Sequence, residues 1–219
     1  MDRIINHISN HVRTLMQAPA KIINKISRGR IKPNHITLVS LLGHLLFLWS
    51  LYQNQTMLAA LFLAFFGIMD SLDGALSRVQ KSSSVRGMFY DAVSDRAKEI
   101  IVYASLAIYI EQNGYYAADK VLNNFSQPNL YAWLPAAVLG LSMLVSYIKA
   151  KGEMALASAK TDAQKLNRVF GGGIARYEVR MAVILAGLLT DRIIIALYVL
   201  LALLVITCLQ RITSVAKAI

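Results

Sequence analysis

Four aspartates lie inside or beside long apolar runs between positions 70 and 95. Asp70 and Asp73 are three residues apart, and Asp91 and Asp95 are four apart. On helices, each pair projects from one face, so two helices joined by a polar turn at 80–86 can bring four carboxylates to one point. Four anions in a low-dielectric environment need compensating cations. Hard divalent ions with oxygen ligands, above all Mg²⁺, are the expected partners.

The aspartates belong to a longer pattern, Asp-x2-Asp-Gly-x2-small-Arg-x8-Gly-x3-Asp-x3-Asp. This pattern resembles the signature of the CDP-alcohol phosphotransferases, integral membrane enzymes that make phospholipids. The matching positions are Asp70, Asp73, Gly74, Arg78, Gly87, Asp91 and Asp95. The family usually has alanine where this chain has Ser77. Serine is also small, so we expect close helix approach to survive. The alternative interpretation is a set of intramembrane acids in an ion or proton transporter.

The resemblance implies a role for each acid. Asp70, Asp73 and Asp91 are expected to be metal ligands, and Asp95 is expected to be the general base that deprotonates the attacking hydroxyl. Asp95 lies one turn beyond Asp91 and could also touch a metal. Two Mg²⁺ ions, or Mn²⁺ in their place, can bridge the pyrophosphate oxygens of a CDP-linked donor and stabilise charge on the leaving CMP.

Gly74, Gly87 and Arg78 are predicted to bind the CDP group. Glycines without side chains let a nucleotide approach the backbone of both helices, and the planar guanidinium of Arg78 can hold a phosphate. The alternative for the glycines is close helix packing, and for the arginine an anchor at the membrane interface.

Composition indicates a membrane protein. The chain has 219 residues, 56% of them hydrophobic, which is too apolar for a soluble domain of this size. Its formal net charge is +11, from 23 basic and 12 acidic residues. A basic and apolar chain favours anionic lipid headgroups or anionic substrates as partners. The sequence shows no basic patch with interleaved aromatic residues, so nucleic acid is not an expected partner.

Apolar runs predict an all-α integral membrane fold in residues 33–219, with six transmembrane helices after an N-terminal segment, 1–32. Within that segment, residues 2–28 have the spacing of an amphipathic helix, interrupted at Pro19. We expect it to lie in the membrane interface, although a helix packed on a partner is the alternative. Pro33 ends this segment, and Asn34 or Thr37 can cap the next helix. The six predicted spans cover about 36–53, 56–79, 86–112, 130–152, 176–190 and 192–211.

Loop charge predicts the orientation of these spans. The segments on one side carry seven basic residues between Arg3 and Lys32 and most of the other basic loop residues. The loops on the other side carry only Lys120 and Arg192, each beside an acid. Because basic loops stay inside, both termini and the aspartates are predicted to face the cytoplasm at the cell membrane.

A second basic group follows the fourth predicted span. Lys149 lies at the end of that span, and Arg176 and Arg180 share one face of the fifth. These cations could form a pocket for an acceptor phosphate, or they could pair with Glu153 and Glu178. The Tyr-x-Lys-Ala-Lys pattern that includes Lys149, with the later arginines, resembles the subgroup that uses inositol phosphate. The Arg-x3-Arg spacing differs from the Arg-x2-Arg spacing of that subgroup.

The resemblance therefore implies a homodimeric membrane transferase. It would move a phosphatidyl-type group from CDP-diacylglycerol to a small polar alcohol, with inositol phosphate as the first expectation and glycerol 3-phosphate as the alternative. CMP would be released.

Overall fold

The computed structural model describes residues 14–113, 131–158 and 173–218, and this part of the chain is helical throughout. It contains seven helices. They are α1 (Gln17–Ser27), α2 (Pro33–Tyr52), α3 (Thr56–Gln80), α4 (Val85–Asn113), α5 (Trp133–Ser158), α6 (Tyr177–Leu189) and α7 (Ile193–Ala216).

Helices α2 to α7 correspond in order to the six predicted spans. Four of them, α2, α3, α5 and α7, are long and apolar enough to cross a membrane. Helix α4 has 29 residues but carries several charges, and α6 has only 13 residues. The described residues thus contain four candidate spans, which agrees with a membrane protein.

The chain forms two compact units, one reaching Tyr109 and the other beginning at Ile110. In the first unit, α3 packs against both α1 and α2. Gly43 of α2 allows the closest approach, since a Cβ there would lie 2.2 Å from the ring of Phe66 on α3. One turn earlier on α2, the Ser40 hydroxyl oxygen lies 2.9 Å from the Phe66 carbonyl oxygen and 3.0 Å from Asp70 Oδ1, so its one hydrogen is shared between these two acceptors. These small residues let α2 and α3 pack with little space between their backbones.

The N-terminal segment has a break just before Pro19, as predicted. Thr14 and Leu15 are helical, Met16 is a turn residue, and α1 begins at Gln17. Pro19 therefore lies in the first turn of α1, where a missing N–H group leaves no hydrogen bond unmade. Ala20 packs in a small core with Ile36, Ala75 and Leu76, so α1 is attached to α2 and α3. Residues 2–13 of the predicted amphipathic segment lie outside the described residues.

The side of α1 that does not pack in this small core is basic and apolar. Ile22 and Ile26 are 57% and 79% exposed, and Lys21 and Lys25 lie beside them. Exposed isoleucines next to lysines are the pattern of a helix that meets lipid headgroups and acyl chains together.

In the second unit, α7 packs against both α5 and α6. The turn between α6 and α7 is tight, because a Cβ at Gly187 would lie 2.6 Å from that of Ala196. Cys208 is buried on α7, with its sulfur 3.9 Å from the carbonyl oxygen of Leu141 on α5. Arg211, one turn further along, donates from Nη1 to the carbonyl of Val145 at 3.0 Å.

Candidate active site

Two hydroxyl groups of α2 hold the first pair of aspartates on α3. Thr37 donates from Oγ1 to Asp73 Oδ2 at 2.6 Å, and Ser40 donates to Asp70 Oδ1 at 3.0 Å. The donors are three residues apart, as are the acceptors, so one turn of α2 matches one turn of α3. Asp73 is only 5% exposed. The predicted capping role of Thr37 is therefore wrong: α2 begins at Pro33, and Thr37 faces the acids from inside the helix.

A lysine of α4 joins the two pairs of aspartates. Lys98 is fully buried and forms ion pairs with both Asp70 and Asp95. The Nζ–Oδ1 distance to Asp95, one turn earlier on the same helix, is 3.3 Å. Lys98 and Ser40 both bind Oδ1 of Asp70. The other carboxylate oxygen, Oδ2, is buried and has no hydrogen-bond partner among the described residues.

The second pair of aspartates is more open. The Asp95 side chain is 29% exposed, and Asp91 lies one turn earlier at the exposed start of α4. Asp91 is within electrostatic range of Asp70 and Lys98, and Asp95 is within range of Asp70 and Asp91. That all four acids meet at one point stays a prediction; the observed link between the two pairs is Lys98, which contacts Asp70 and Asp95.

The metal-ligand roles remain a prediction. In the described part of the chain, no three His, Cys, Asp or Glu side chains are arranged to hold a metal ion. The chemistry nevertheless fits a divalent cation: two of the four acids pair with a buried lysine, and Asp70 Oδ2 is an oxygen ligand without a hydrogen-bond partner among the described residues. The carboxylates suit a hard cation, and side-chain adjustment would have to bring them together.

The residues predicted to bind CDP lie along an open face. A Cβ on Gly74 would contact only the Arg78 guanidinium, at 3.6 Å, and Arg78 is exposed. A Cβ on Gly87 would meet only the hydroxyl of Ser84, at 3.2 Å, which accepts a hydrogen bond from the Gly87 N–H. Within the described residues, neither glycine serves close helix packing, the alternative interpretation. The open surface beside them is compatible with a nucleotide.

The predicted acceptor cations differ in their surroundings. Lys149 is half-exposed and pairs with Glu153, one turn along α5, with 3.8 Å between Nζ and Oε1. Such a surface pair contributes little free energy and can exchange partners. Arg180 is only 3% exposed, and its Nη1 donates to the Ala175 carbonyl at 2.7 Å. The alternative of internal pairing is thus observed for Lys149.

A third arginine lies near Arg176 and Arg180. Arg211 of α7 is within electrostatic range of both, and its Nε is buried with no hydrogen-bond partner in the described residues. Gly173, at a φ of 124°, leaves room beside it, because a Cβ there would lie 3.4 Å from Arg211 Nε. Arginines that converge in this way repel one another unless an anion lies between them. The Glu153 carboxylate is also within electrostatic range of Arg211, so three arginines and one acid share this part of the second unit.

Sequence patterns alone do not identify Thr37, Ser40, Lys98 or Arg211 as site residues. A usable signal exists for Lys98: it follows Asp95 by three residues within an apolar helix, the spacing of an ion pair. Thr37 and Ser40 have no such local signal, because their partners are on another helix.

The chain is similar in sequence to known enzymes of lipid synthesis. Residues 30–215 match the CDP-alcohol phosphatidyltransferase family. The archaetidylinositol phosphate synthase of Pyrococcus horikoshii is 28% identical over 207 residues, which cover 94% of this chain and 95% of the relative. The phosphatidylinositol phosphate synthase of Corynebacterium glutamicum is 25% identical over 221 residues, with 97% and 89% covered.

Solved structures show the same fold. The Mycobacterium tuberculosis phosphatidylinositol phosphate synthase with CDP-DAG bound superimposes with a TM-score of 0.69 at 22% identity, covering 92% of this chain and 94% of that chain. The same enzyme in complex with manganese and citrate gives a TM-score of 0.70 at 21% identity, with 92% and 89% covered. Because the family match extends over residues 30–215, the chain belongs to the CDP-alcohol phosphatidyltransferase family.

Proposed function

We propose that this protein transfers a phosphatidyl group from CDP-diacylglycerol to inositol phosphate and releases CMP. The observation that carries the proposal is the set of contacts at the aspartates, where Lys98 pairs with Asp70 and Asp95 and Thr37 donates to Asp73, in a chain of this transferase family. Membership of a transferase family also decides against the ion or proton transporter that the intramembrane acids alone could indicate.

The donor is a CDP-linked lipid. Its apolar chains suit the four candidate spans, and its nucleotide suits the open face beside Gly74 and Arg78. The related mycobacterial enzyme with CDP-DAG bound supports this choice.

The acceptor is inositol phosphate, since both named relatives make inositol phosphate lipids. The arginines at 176, 180 and 211 supply the fixed cations that a phosphate dianion needs. Lys149 completes this set in the proposal by exchanging its exposed partner Glu153 for the acceptor.

Asp95 is the proposed general base. The acceptor hydroxyl oxygen forms a bond to the phosphorus on the lipid side of the pyrophosphate, the bond from that phosphorus to the CMP oxygen breaks, and Asp95 takes the hydroxyl proton. With 29% of its side chain exposed, Asp95 is accessible to an acceptor, whereas Asp73 is buried and hydrogen-bonded to Thr37. The contact with Lys98 restricts Asp95 to one orientation.

Asp70, Asp73, Asp91 and Asp95 are the proposed ligands of two Mg²⁺ ions. When bound, these cations would neutralise charge on the pyrophosphate and the leaving CMP. The manganese complex of the mycobacterial enzyme supports a divalent cation and leaves Mn²⁺ as an alternative. Thr37 and Ser40 hold two of these carboxylates by one oxygen each.

Six spans are part of the proposal. Helices α4 and α6 bring the four candidate spans to six, with Lys98 and Glu99 of α4 buried rather than exposed to lipid. Both termini and the site face the cytoplasm, α1 lies in the interface, and the protein forms a homodimer. Cysteine accessibility at both termini and the mass of the detergent-solubilised protein would test orientation and dimer.

Purified protein in detergent, given CDP-diacylglycerol and Mg²⁺ or Mn²⁺, tests the function through CMP release. Inositol phosphate, glycerol 3-phosphate, free inositol and serine are supplied in separate reactions. We expect the highest kcat/KM with inositol phosphate and none without a divalent cation. A higher value with glycerol 3-phosphate would reassign the acceptor, and a preference for free inositol or serine would contradict an acceptor-phosphate site.

A further inference from the structure

Lys98 is the most unusual residue of the acidic site. It is fully buried on α4 and binds Asp70 and Asp95 together. A buried ammonium group is costly unless carboxylates compensate it, so its position depends on these two partners. The described part of the chain therefore already contains one fixed positive charge, between Asp70 and Asp95.

The two carboxylate oxygens of Asp70 differ in their contacts. Oδ1 accepts from Lys98 and from Ser40, whereas Oδ2 is buried with no hydrogen-bond partner in the described residues. A second cation can therefore bind Oδ2 without displacing Ser40. The second cation on Oδ2 and Lys98 on Oδ1 would then share one carboxylate and repel each other.

We propose that Lys98 is a resident cation of the acidic site that weakens its affinity for divalent metal ions. It competes for Asp70 and Asp95 and places a like charge beside the incoming ion. This proposal rests on the proposed function, in which the same aspartates hold the metal.

The direction of the effect follows from electrostatics. Four aspartates carry a formal charge of −4, and Lys98 reduces it to −3. Repulsion between an ammonium and a divalent ion that share a carboxylate is only partly screened in a buried site. Lys98 also stabilises the metal-free protein, since without it the buried carboxylates would repel one another.

The two effects predict opposite responses to its removal. Replacing Lys98 by methionine keeps the length and apolar volume of the side chain and removes the charge. The metal-free protein should become less stable, while its affinity for a divalent ion should increase. A lysine that only filled space would produce neither the gain in affinity nor a stronger stabilisation by metal.

The experiment measures Mn²⁺ binding to the purified full-length protein in detergent after treatment with a chelator. Free Mn²⁺ is read by electron paramagnetic resonance, and melting temperature is read with and without the ion. Lys98→Met is compared with wild type, and Lys21→Met, which removes an equal charge from the exposed side of α1, is the matched control. Lys98→Gln retains a hydrogen-bond donor without the charge and replaces Lys98→Met if that variant does not fold.

We expect Lys98→Met to bind Mn²⁺ about tenfold more tightly than wild type or more, judged from like-charge repulsion in a partly buried site. Mn²⁺ should also raise the melting temperature of this variant by more than that of wild type. Lys21→Met should bind as wild type does. Equal or weaker binding by a folded Lys98 variant would overturn the proposal. If neither wild type nor any variant binds Mn²⁺, the metal site itself fails, which is a distinguishable result.

Discussion

Thr37→Val tests whether the contact between α2 and α3 serves catalysis. Valine has nearly the shape of threonine but cannot donate a hydrogen bond. The substitution removes the 2.6 Å contact to Asp73 Oδ2 and leaves that oxygen in a residue only 5% exposed. Water has little access to replace the lost donor, so the carboxylate loses both its partner and its fixed orientation.

The magnitude follows from the type of bond. A hydrogen bond to a charged group contributes about 1.5–3 kcal/mol, and burial favours the upper half of that range. If the whole of this free energy were needed in the transition state, kcat/KM would fall roughly tenfold to 150-fold. Part of the bond is also present in the ground state, so we expect a loss of about tenfold to fiftyfold, together with about 1–3 kcal/mol of stability.

Steady-state CMP release measures the effect, with folding checked by gel filtration in detergent. Thr37→Ser keeps the hydroxyl and should recover most of the activity. Thr213→Val is the matched control, because the Thr213 hydroxyl donates only to backbone carbonyls on an exposed part of α7. If folded Thr37→Val keeps kcat/KM within about twofold of wild type, the positioning role of this contact is refuted.

Further variants test the proposed roles of the site residues. Asp91→Asn should abolish transfer while the protein stays folded, and more than about a tenth of wild-type activity would contradict direct metal binding, which is typically worth a hundredfold or more. Asp95→Asn should lower kcat much more than it weakens binding of the CDP-lipid, because a base acts in the transition state. If donor and Mn²⁺ binding fall equally, Asp95 is chiefly a metal ligand. Arg180→Gln should raise the KM for inositol phosphate severalfold and leave the KM for the CDP-lipid nearly unchanged. An unchanged KM for inositol phosphate in Arg180→Gln would contradict the proposed role of the arginines in the acceptor site. Lys149→Gln should raise this KM less, since Lys149 is half-exposed and paired with Glu153.

The chain order of residues is sufficient to predict the helices. Long apolar runs broken by Pro33, by the polar residues after Tyr52 and by those after Gln80 leave little choice of secondary structure, and the bounds of α2 and α3 lie within a few residues of the predicted spans. The break predicted near Pro19 is observed as a turn at Met16, after which α1 begins at Gln17. In the first turn of α1, the hydrogen bond that Pro19 cannot donate is not required.

The acid pattern is likewise visible in the sequence, since Asp70 with Asp73 and Asp91 with Asp95 are spaced by about one turn. Local spacing identifies which residues share a helix face, because that depends on the helical repeat alone. The order and spacing of these acids are therefore enough to indicate the family.

Only the tertiary structure decided which neighbours hold these acids. Thr37 and Asp73 are 36 residues apart, and Lys98 and Asp70 are 28 apart, so their contacts depend on how α2, α3 and α4 pack. The same holds for Arg211, whose position near Arg176 and Arg180 depends on the packing of α6 and α7. Helical periodicity sets the direction of a side chain around its own axis, whereas the separation and rotation of neighbouring helices determine what that side chain meets.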